Sequence, residues 1–226
     1  MEPLSIIALI VAASIFVLYH VYYILLFIFK PFRTNLGSNL SMRHKWAHWI
    51  ICSTGQEVFA VQTIRNTSMS ANMLGAGSVA AAYFLLTQSV ARDDTIGIVY
   101  RIITGFLLAA FLCFGLVTRD LGHASFLCGI RETPQKSYHL FEHKTFPYEA
   151  VATPADADLE SAGLDKVRFA SGEQLYRYLR RASILNTVGF RLLYASILFA
   201  TWVVGPIPTL VVSCLLTAAI FALDQP

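Results

Sequence analysis

The feature that constrains this chain most is its long apolar runs without charged residues. The first run, Leu4–Phe29, has 26 residues. As an α-helix it would be about 39 Å long, which exceeds the roughly 30 Å thickness of a bilayer core. No basic residue precedes it, and residues 30–33 (KPFR) follow in place of a small-residue cleavage site, which is unlike a secretory signal peptide. We therefore predict a retained first membrane span.

The composition also indicates a membrane protein. The chain of 226 residues is 56% hydrophobic and 14% charged, and its mean hydropathy is +0.58. Soluble domains carry about 25% charged residues, so an ordinary soluble domain is excluded. We predict a single all-α domain over residues 1–226, an integral membrane helical bundle of about four transmembrane helices. The predicted spans are residues 4–29, 68–88, 96–117 and 192–223.

Residues 61–88 are the segment around which we expect the other helices to pack. Polar residues open this segment, small residues fill its middle and bulky apolar residues close it. A stripe of small residues lets two helix backbones approach closely inside a bilayer. A small-residue helix in a soluble core is the alternative, and the other apolar runs are too long for it. At helical spacing the small residues on one face are Ser68, Ala71, Gly75, Ser78 and Ala82.

The last apolar tract, residues 192–223, is interrupted by Gly205, Pro206 and Pro208. One helix over this tract would be about 48 Å long, whereas two legs would each be short for a bilayer. We favour one long helix that is kinked at residues 205–208, because the prolines remove backbone donors. A broken or re-entrant form is the alternative.

The connectors between the predicted spans are polar or amphipathic. Residues 41–61 and 173–182 show helical patterns in which tryptophan or tyrosine accompanies basic residues, which is typical of helices at a membrane interface. Residues 129–172 contain three prolines and an acidic patch. We predict a largely irregular, partly disordered loop there.

The basic residues are unevenly distributed. Residues 30–65 hold five Lys and Arg, and residues 119–191 hold ten. Because basic residues mark the cytoplasmic side of a membrane, we expect both segments there and the turn at residues 89–94 on the other side. With four spans, both termini would lie away from the cytoplasm. The expected location is the plasma membrane or an inner membrane.

Two histidine patterns resemble metal-binding motifs. His139-Leu-Phe-Glu142-His143 matches H-x-x-E-H, in which two histidines share a helical face and a glutamate activates a metal-bound water. It lies between prolines, and no downstream helix offers a third ligand, so we assign no catalytic metal. His44 and His48 are also four residues apart, and we interpret them as a surface pair at the membrane interface. We expect no enzymatic activity, no cofactor and no bound metal.

Polar residues at the cytoplasmic ends of the second and fourth spans are the candidates for a functional site. A charged residue near a span normally faces the bundle interior or a water-filled cavity, where it can select ions. The alternative is that the two arginines extend to the lipid headgroups. The candidates are Gln62, Arg65, Asn66, Asn72, Asn186 and Arg191.

Two motif blocks occur at the second and last spans. The first, Q-T-x-R-N-x-x-M, comprises Gln62, Thr63, Arg65, Asn66 and Met69. The second, G-x-R-x-x-Y followed by W-x-x-G-P, comprises Gly189, Arg191, Tyr194, Trp202, Gly205 and Pro206. Both resemble the domain of unknown function 599 family, multi-pass membrane proteins of plants and bacteria. The resemblance covers most of the chain except residues 129–172. It implies a membrane architecture and no established activity.

The first functional hypothesis is an oligomeric channel or transport-related protein, because polar residues open two spans and the small-residue face could pack between subunits. The alternative is a non-catalytic membrane scaffold that holds a partner or an anionic lipid through its cytoplasmic loops. The expected partners are the lipid bilayer and a second copy of the chain. No basic and aromatic stretch indicates a nucleic-acid surface.

Overall fold

The computed structural model describes residues 3–53, 55–92, 94–129 and 157–226, and these residues form an all-α bundle. A short 3-10 turn, Pro31–Arg33, links the first two helices. The helices are α1 (Pro3–Phe29), α2 (Asn35–Cys52), α3 (Glu57–Val90), α4 (Thr95–Gly129), α5 (Ala157–Val204) and α6 (Pro206–Asp224). The predicted class, an all-α membrane helical bundle, is confirmed.

Five segments of the described helices are long and apolar enough to cross a membrane. The first three contain the predicted spans at residues 4–29, 68–88 and 96–117. The five segments are Leu4–Phe29, Glu57–Val90, Thr95–Cys128, Ser171–Val204 and Pro206–Asp224.

The last apolar tract forms two helices, so the single kinked helix predicted over residues 192–223 is wrong. Gly205 has a φ of 151°, a conformation that is strained for any other residue. Pro206 then starts α6, where its missing N–H and fixed φ suit a first helical position. The chain reverses at this point, because Asp224 at the end of α6 reaches Arg191, about three turns before α5 ends.

The two ends of the chain lie at opposite ends of the bundle. Helix α6 runs beside α1 in the same direction: the Ser213 hydroxyl donates to the Ala12 carbonyl at 3.2 Å, and the Tyr19 hydroxyl donates to Asp224. The described residues therefore hold five helical segments that are long and apolar enough to cross a membrane, where the sequence predicted about four. The expectation that both termini lie away from the cytoplasm assumed four crossings, and the orientation of the termini relative to a membrane stays a prediction.

The small-residue face of α3 packs against α4 of the same chain. Ala71, Gly75, Ser78 and Ala82 are buried on this face, and Ser68 is half-buried. A Cβ added at Gly75 would lie 3.4 Å from the Cβ of Phe114.

The Phe114 ring lies at the junction of α3, α4 and α5. On its α5 side, a Cβ added at Gly189 would lie 2.9 Å from the ring. Glycines on both neighbours of α4 therefore make room for one buried aromatic side chain.

Helices α3, α4 and α5 are longer than a bilayer requires. They have 34, 35 and 48 residues, which correspond to about 51, 53 and 72 Å. The three helices extend beyond the bilayer length at the end of the bundle that holds most of the basic residues. There they pack with α2 around a buried apolar cluster that includes Ile50, Ile64, Leu121 and Leu175. This cluster places α2 against the part of α5 that holds Leu175 and Leu179.

The loop predicted over residues 129–172 is wrong for residues 157–172, which begin α5. Residues 157–182 hold no proline and are rich in Ala, Leu and Arg, which favour a helix. His139, Glu142 and His143 lie outside the described residues.

Candidate functional site

A polar cavity lies between α2, α3, α5 and the end of α6. Its volume is about 150 Å³, which is large enough for a small ion with water, since one water needs about 10–15 Å³. Most of its lining is amide, hydroxyl or guanidinium. The polar residues from α2, α3 and α5 that line it are Asn35, Asn39, Arg43, Thr67, Ser183, Asn186 and Thr187.

The local sequence explains why α2 presents these side chains. Thr34 caps the helix by accepting a hydrogen bond from the Gly37 N–H at 3.1 Å. Leu40 and Ala47 are buried on the face that packs against α5. Arg43 is three residues after Leu40 and four before Ala47, so helical spacing brings it to this same face.

Arg43 is a half-buried cation without a carboxylate partner among the residues that the structure describes. Burial lowers the pKa of its guanidinium, because the charged form loses hydration. The group still keeps its charge at neutral pH, since an arginine does not lose its proton in proteins. The Arg43 side chain therefore brings a positive charge to the lining of the cavity.

The carboxylate that lines the cavity, Asp224, is already neutralised. The Arg191 guanidinium and the Tyr19 hydroxyl both donate to it. The Arg191 and Asp224 side chains are 14% and 15% exposed. The Tyr23 ring covers the guanidinium, with 4.6 Å from Cζ to the ring centroid. The cluster joins α1, α5 and α6, and it leaves Arg43 as the uncompensated charge of the cavity.

A more open cleft of about 340 Å³ separates α3 from α5. It shares Thr67 and Asn186 with the polar cavity, so the two spaces meet at these side chains. Asn66 and Ser70 continue its polar wall. Its other lining residues, Leu74 and Phe190, are apolar. The cleft thus changes from polar to apolar as it leaves the cavity.

The structure brings only some of the predicted site residues to these spaces. Asn186 lines both the polar cavity and the cleft, and Asn66 lines the cleft. Arg191 forms an ion pair with Asp224 and does not need a lipid headgroup as its partner. Asn72 accepts a hydrogen bond from the Thr118 hydroxyl at 2.8 Å and so joins α3 to α4.

Gln62 and Arg65 belong to neither space. Both are exposed on α3, and neither lines the polar cavity or the cleft. In the same turn of α3, Ile64 points into the buried apolar cluster, whereas the Gln62 and Arg65 side chains point away from that cluster. The positive charge beside the cavity belongs to Arg43.

Sequence reasoning missed Arg43, Asn35, Asn39 and Asp224. For Arg43 the helical spacing of α2 carried a signal. The buried residues of this helix, which recur every three or four positions, skip one turn, and residues 43 and 44 occupy that turn. The buried residues are Gly37, Leu40, Ala47 and Ile50. For Asp224 no local signal existed, since its role depends on the chain reversal at Gly205.

The comparisons with known proteins agree with the motif resemblance. A family model described as a protein of unknown function, DUF599, matches residues 7–226, nearly the whole chain. The comparisons with curated proteins and with solved structures found no match.

Proposed function

We propose that this chain, which belongs to the DUF599 family of unknown function, is a transport-related membrane protein that binds a small anion in the polar cavity. The observation that carries the proposal is Arg43, a half-buried guanidinium that faces the cavity without a carboxylate partner in the described part of the chain. Burying a charge without a partner is unfavourable, so an anion that binds beside this guanidinium is stabilised by charge-assisted hydrogen bonds.

The other groups of the cavity suit a small anion as well. The Asp224 carboxylate is neutralised by Arg191, so it contributes little repulsion. Asn39 and Asn186 offer amide N–H donors, and Thr187 offers a hydroxyl donor. In a site of low dielectric, one net positive charge and several neutral donors favour anions over cations.

The cleft supports the proposal that an anion moves through the protein and does not only bind to it. It continues from the cavity through Thr67 and Asn186 and runs between α3 and α5, which both pack on α4. An anion held at Arg43 would have polar contacts along the first part of this route. We propose that the protein moves its ligand without changing it chemically and is not an enzyme.

The test is anion flux into proteoliposomes that contain the full-length protein, with chloride, nitrate and phosphate offered in turn. Wild type is expected to conduct at least one of these ions, and Arg43→Ala to lower its flux at least tenfold, because the cavity loses its cation. Lys45→Ala is the matched control: it removes a positive charge from an exposed position of the same helix. Equal flux in Arg43→Ala and Lys45→Ala would contradict the proposal.

A second candidate function is supported by the shape of the cleft. Its polar wall at Asn66 and Ser70 and its apolar wall at Leu74 and Phe190 suit an anionic lipid whose headgroup lies at the basic end. In this case the protein is a scaffold that holds lipid. Absence of flux for all three ions, with anionic lipid retained in native mass spectra of wild type and lost in Arg43→Ala, would favour the scaffold.

A further inference from the structure

Three side chains with metal-binding atoms converge where α2 packs against α5. His44 and His48 lie four residues apart on one face of α2, and Glu173 lies on α5, 125 residues after His48. The Nε2 atoms of His44 and His48 are 3.0 and 3.2 Å from the same carboxylate oxygen of Glu173. All three candidate ligand atoms lie within 4.8 Å of one another.

The two histidine–glutamate separations agree with those of ligand atoms around one zinc ion. Zinc binds imidazole nitrogen and carboxylate oxygen at about 2.0–2.1 Å in tetrahedral geometry, which places neighbouring ligand atoms about 3.3 Å apart. The two histidine–glutamate separations therefore already match the edges of a tetrahedron.

Neighbouring residues fix the positions of the two imidazoles. A Cβ added at Gly172 would lie 2.6 Å from Nδ1 of His48, so only a glycine leaves room for this ring against α5. The ring of Tyr176 packs edge-on against His44, with 4.6 Å between the centroids. The site is preorganised from both helices.

The site is accessible to an ion from water. The side chains of His44, His48 and Glu173 are 44%, 23% and 33% exposed. Two imidazoles and one carboxylate favour zinc-class transition metals over magnesium or calcium, which prefer oxygen ligands. The three ligands found among the described residues would leave a fourth position for water or another ligand.

We propose that His44, His48 and Glu173 bind one divalent transition-metal ion of the zinc class, which holds α2 against α5. The sequence alone favoured a surface histidine pair, because the third ligand is distant along the chain. This site is separate from the polar cavity, so the proposal stands without the anion-binding function.

The test is zinc binding to the full-length protein in detergent after treatment with a chelator. Wild type is expected to bind one equivalent of Zn²⁺ by calorimetry and to show a higher melting temperature with zinc. His44→Ala, His48→Ala and Glu173→Gln are each expected to weaken zinc binding at least tenfold. Glu173→Gln preserves the size of the side chain, so its loss of binding is not explained by misfolding.

His123→Ala is the matched control, because His123 is an exposed histidine on α4 that lies outside the cluster. It is expected to bind zinc as wild type does. Cobalt provides a second readout: bound Co²⁺ should show the strong visible bands of a tetrahedral site in wild type and not in Glu173→Gln. The proposal is overturned if chelator-treated wild type binds no zinc, or if Glu173→Gln binds it as tightly as wild type. A cluster held together by hydrogen bonds alone would give that result.

Discussion

At the scale of single residues, the half-buried arginines Arg43 and Arg191 have different environments. Arg191 is paired with Asp224 and covered by Tyr23, so its charge is compensated within the chain. Arg43 lines the polar cavity and has no carboxylate partner among the described residues, because Asp224 is paired with Arg191. The first arrangement favours a structural role, because a paired buried charge ties helices together, and the second favours ligand binding.

The ion pair predicts a stability effect. Asp224→Asn leaves the Arg191 guanidinium buried without a counter-charge, so we expect a loss of about 3 kcal/mol in the free energy of unfolding. Chemical unfolding of the detergent-solubilised protein would measure it. Arg180→Ala, at an exposed position of α5, should change stability by less than about 0.5 kcal/mol. If Asp224→Asn is as stable as Arg180→Ala, the pair does not hold α1, α5 and α6 together.

At the scale of elements, close helix packing depends on glycines at particular faces. Gly75 brings α3 against Phe114 of α4, and Gly189 brings α5 against the same ring. Gly77, two residues after Gly75, has no heavy atom within 4 Å of an added Cβ. The same residue type therefore has a packing role on one face of α3 and none on the other.

This contrast predicts different outcomes for two equivalent substitutions. Gly75→Leu should destabilise the protein by about 1–3 kcal/mol relative to Gly77→Leu, because the added side chain must displace Phe114. Both variants gain the same helix propensity, so the difference isolates packing. Melting temperature and native mass in detergent are the measurements. Equal melting temperatures would mean that α3 and α4 do not pack through this face.

At the scale of the whole molecule, the two ends of the chain lie at opposite ends of a bundle whose described part holds five segments long and apolar enough to cross a membrane. The small-residue face of α3 is covered by α4, so it is not the surface on which a second copy would bind. The homo-oligomer stays a prediction, and the small-residue face no longer supports it. The basic residues of α2, together with Arg177, Arg180 and Arg181 of α5, lie toward the end of the bundle where α6 finishes.

Because basic residues mark the cytoplasmic side of a membrane, this arrangement predicts that the C-terminus is cytoplasmic. In a protein whose four native cysteines are replaced, Gln225→Cys should react with an impermeant thiol reagent only after cells are permeabilised. Asp94→Cys, in the turn between α3 and α4, should react in intact cells, because that turn lies at the other end of the bundle. Labelling of Gln225→Cys in intact cells, together with protection of Asp94→Cys, would reverse the orientation.

The sequence by itself determined the class of the protein and most of its helices. Uncharged apolar runs, the small-residue stripe of α3 and the motifs at Gln62 and Arg191 are local patterns, and local patterns specify helices and their faces. Gly205 and Pro206 marked the position of the break in the last tract. They did not specify whether the chain continues or reverses there, because that depends on what α6 packs against.

Only the tertiary structure decided which distant residues meet. Asp224 meets Arg191 because α6 folds back along α5, and Glu173 meets His44 and His48 because α2 packs against the part of α5 around Gly172. Arg43 faces a cavity for the same reason, since the cavity exists only when α2, α3, α5 and α6 are assembled. Periodicity identifies the face of one helix, whereas the partner of that face depends on the packing of segments that are far apart in the chain.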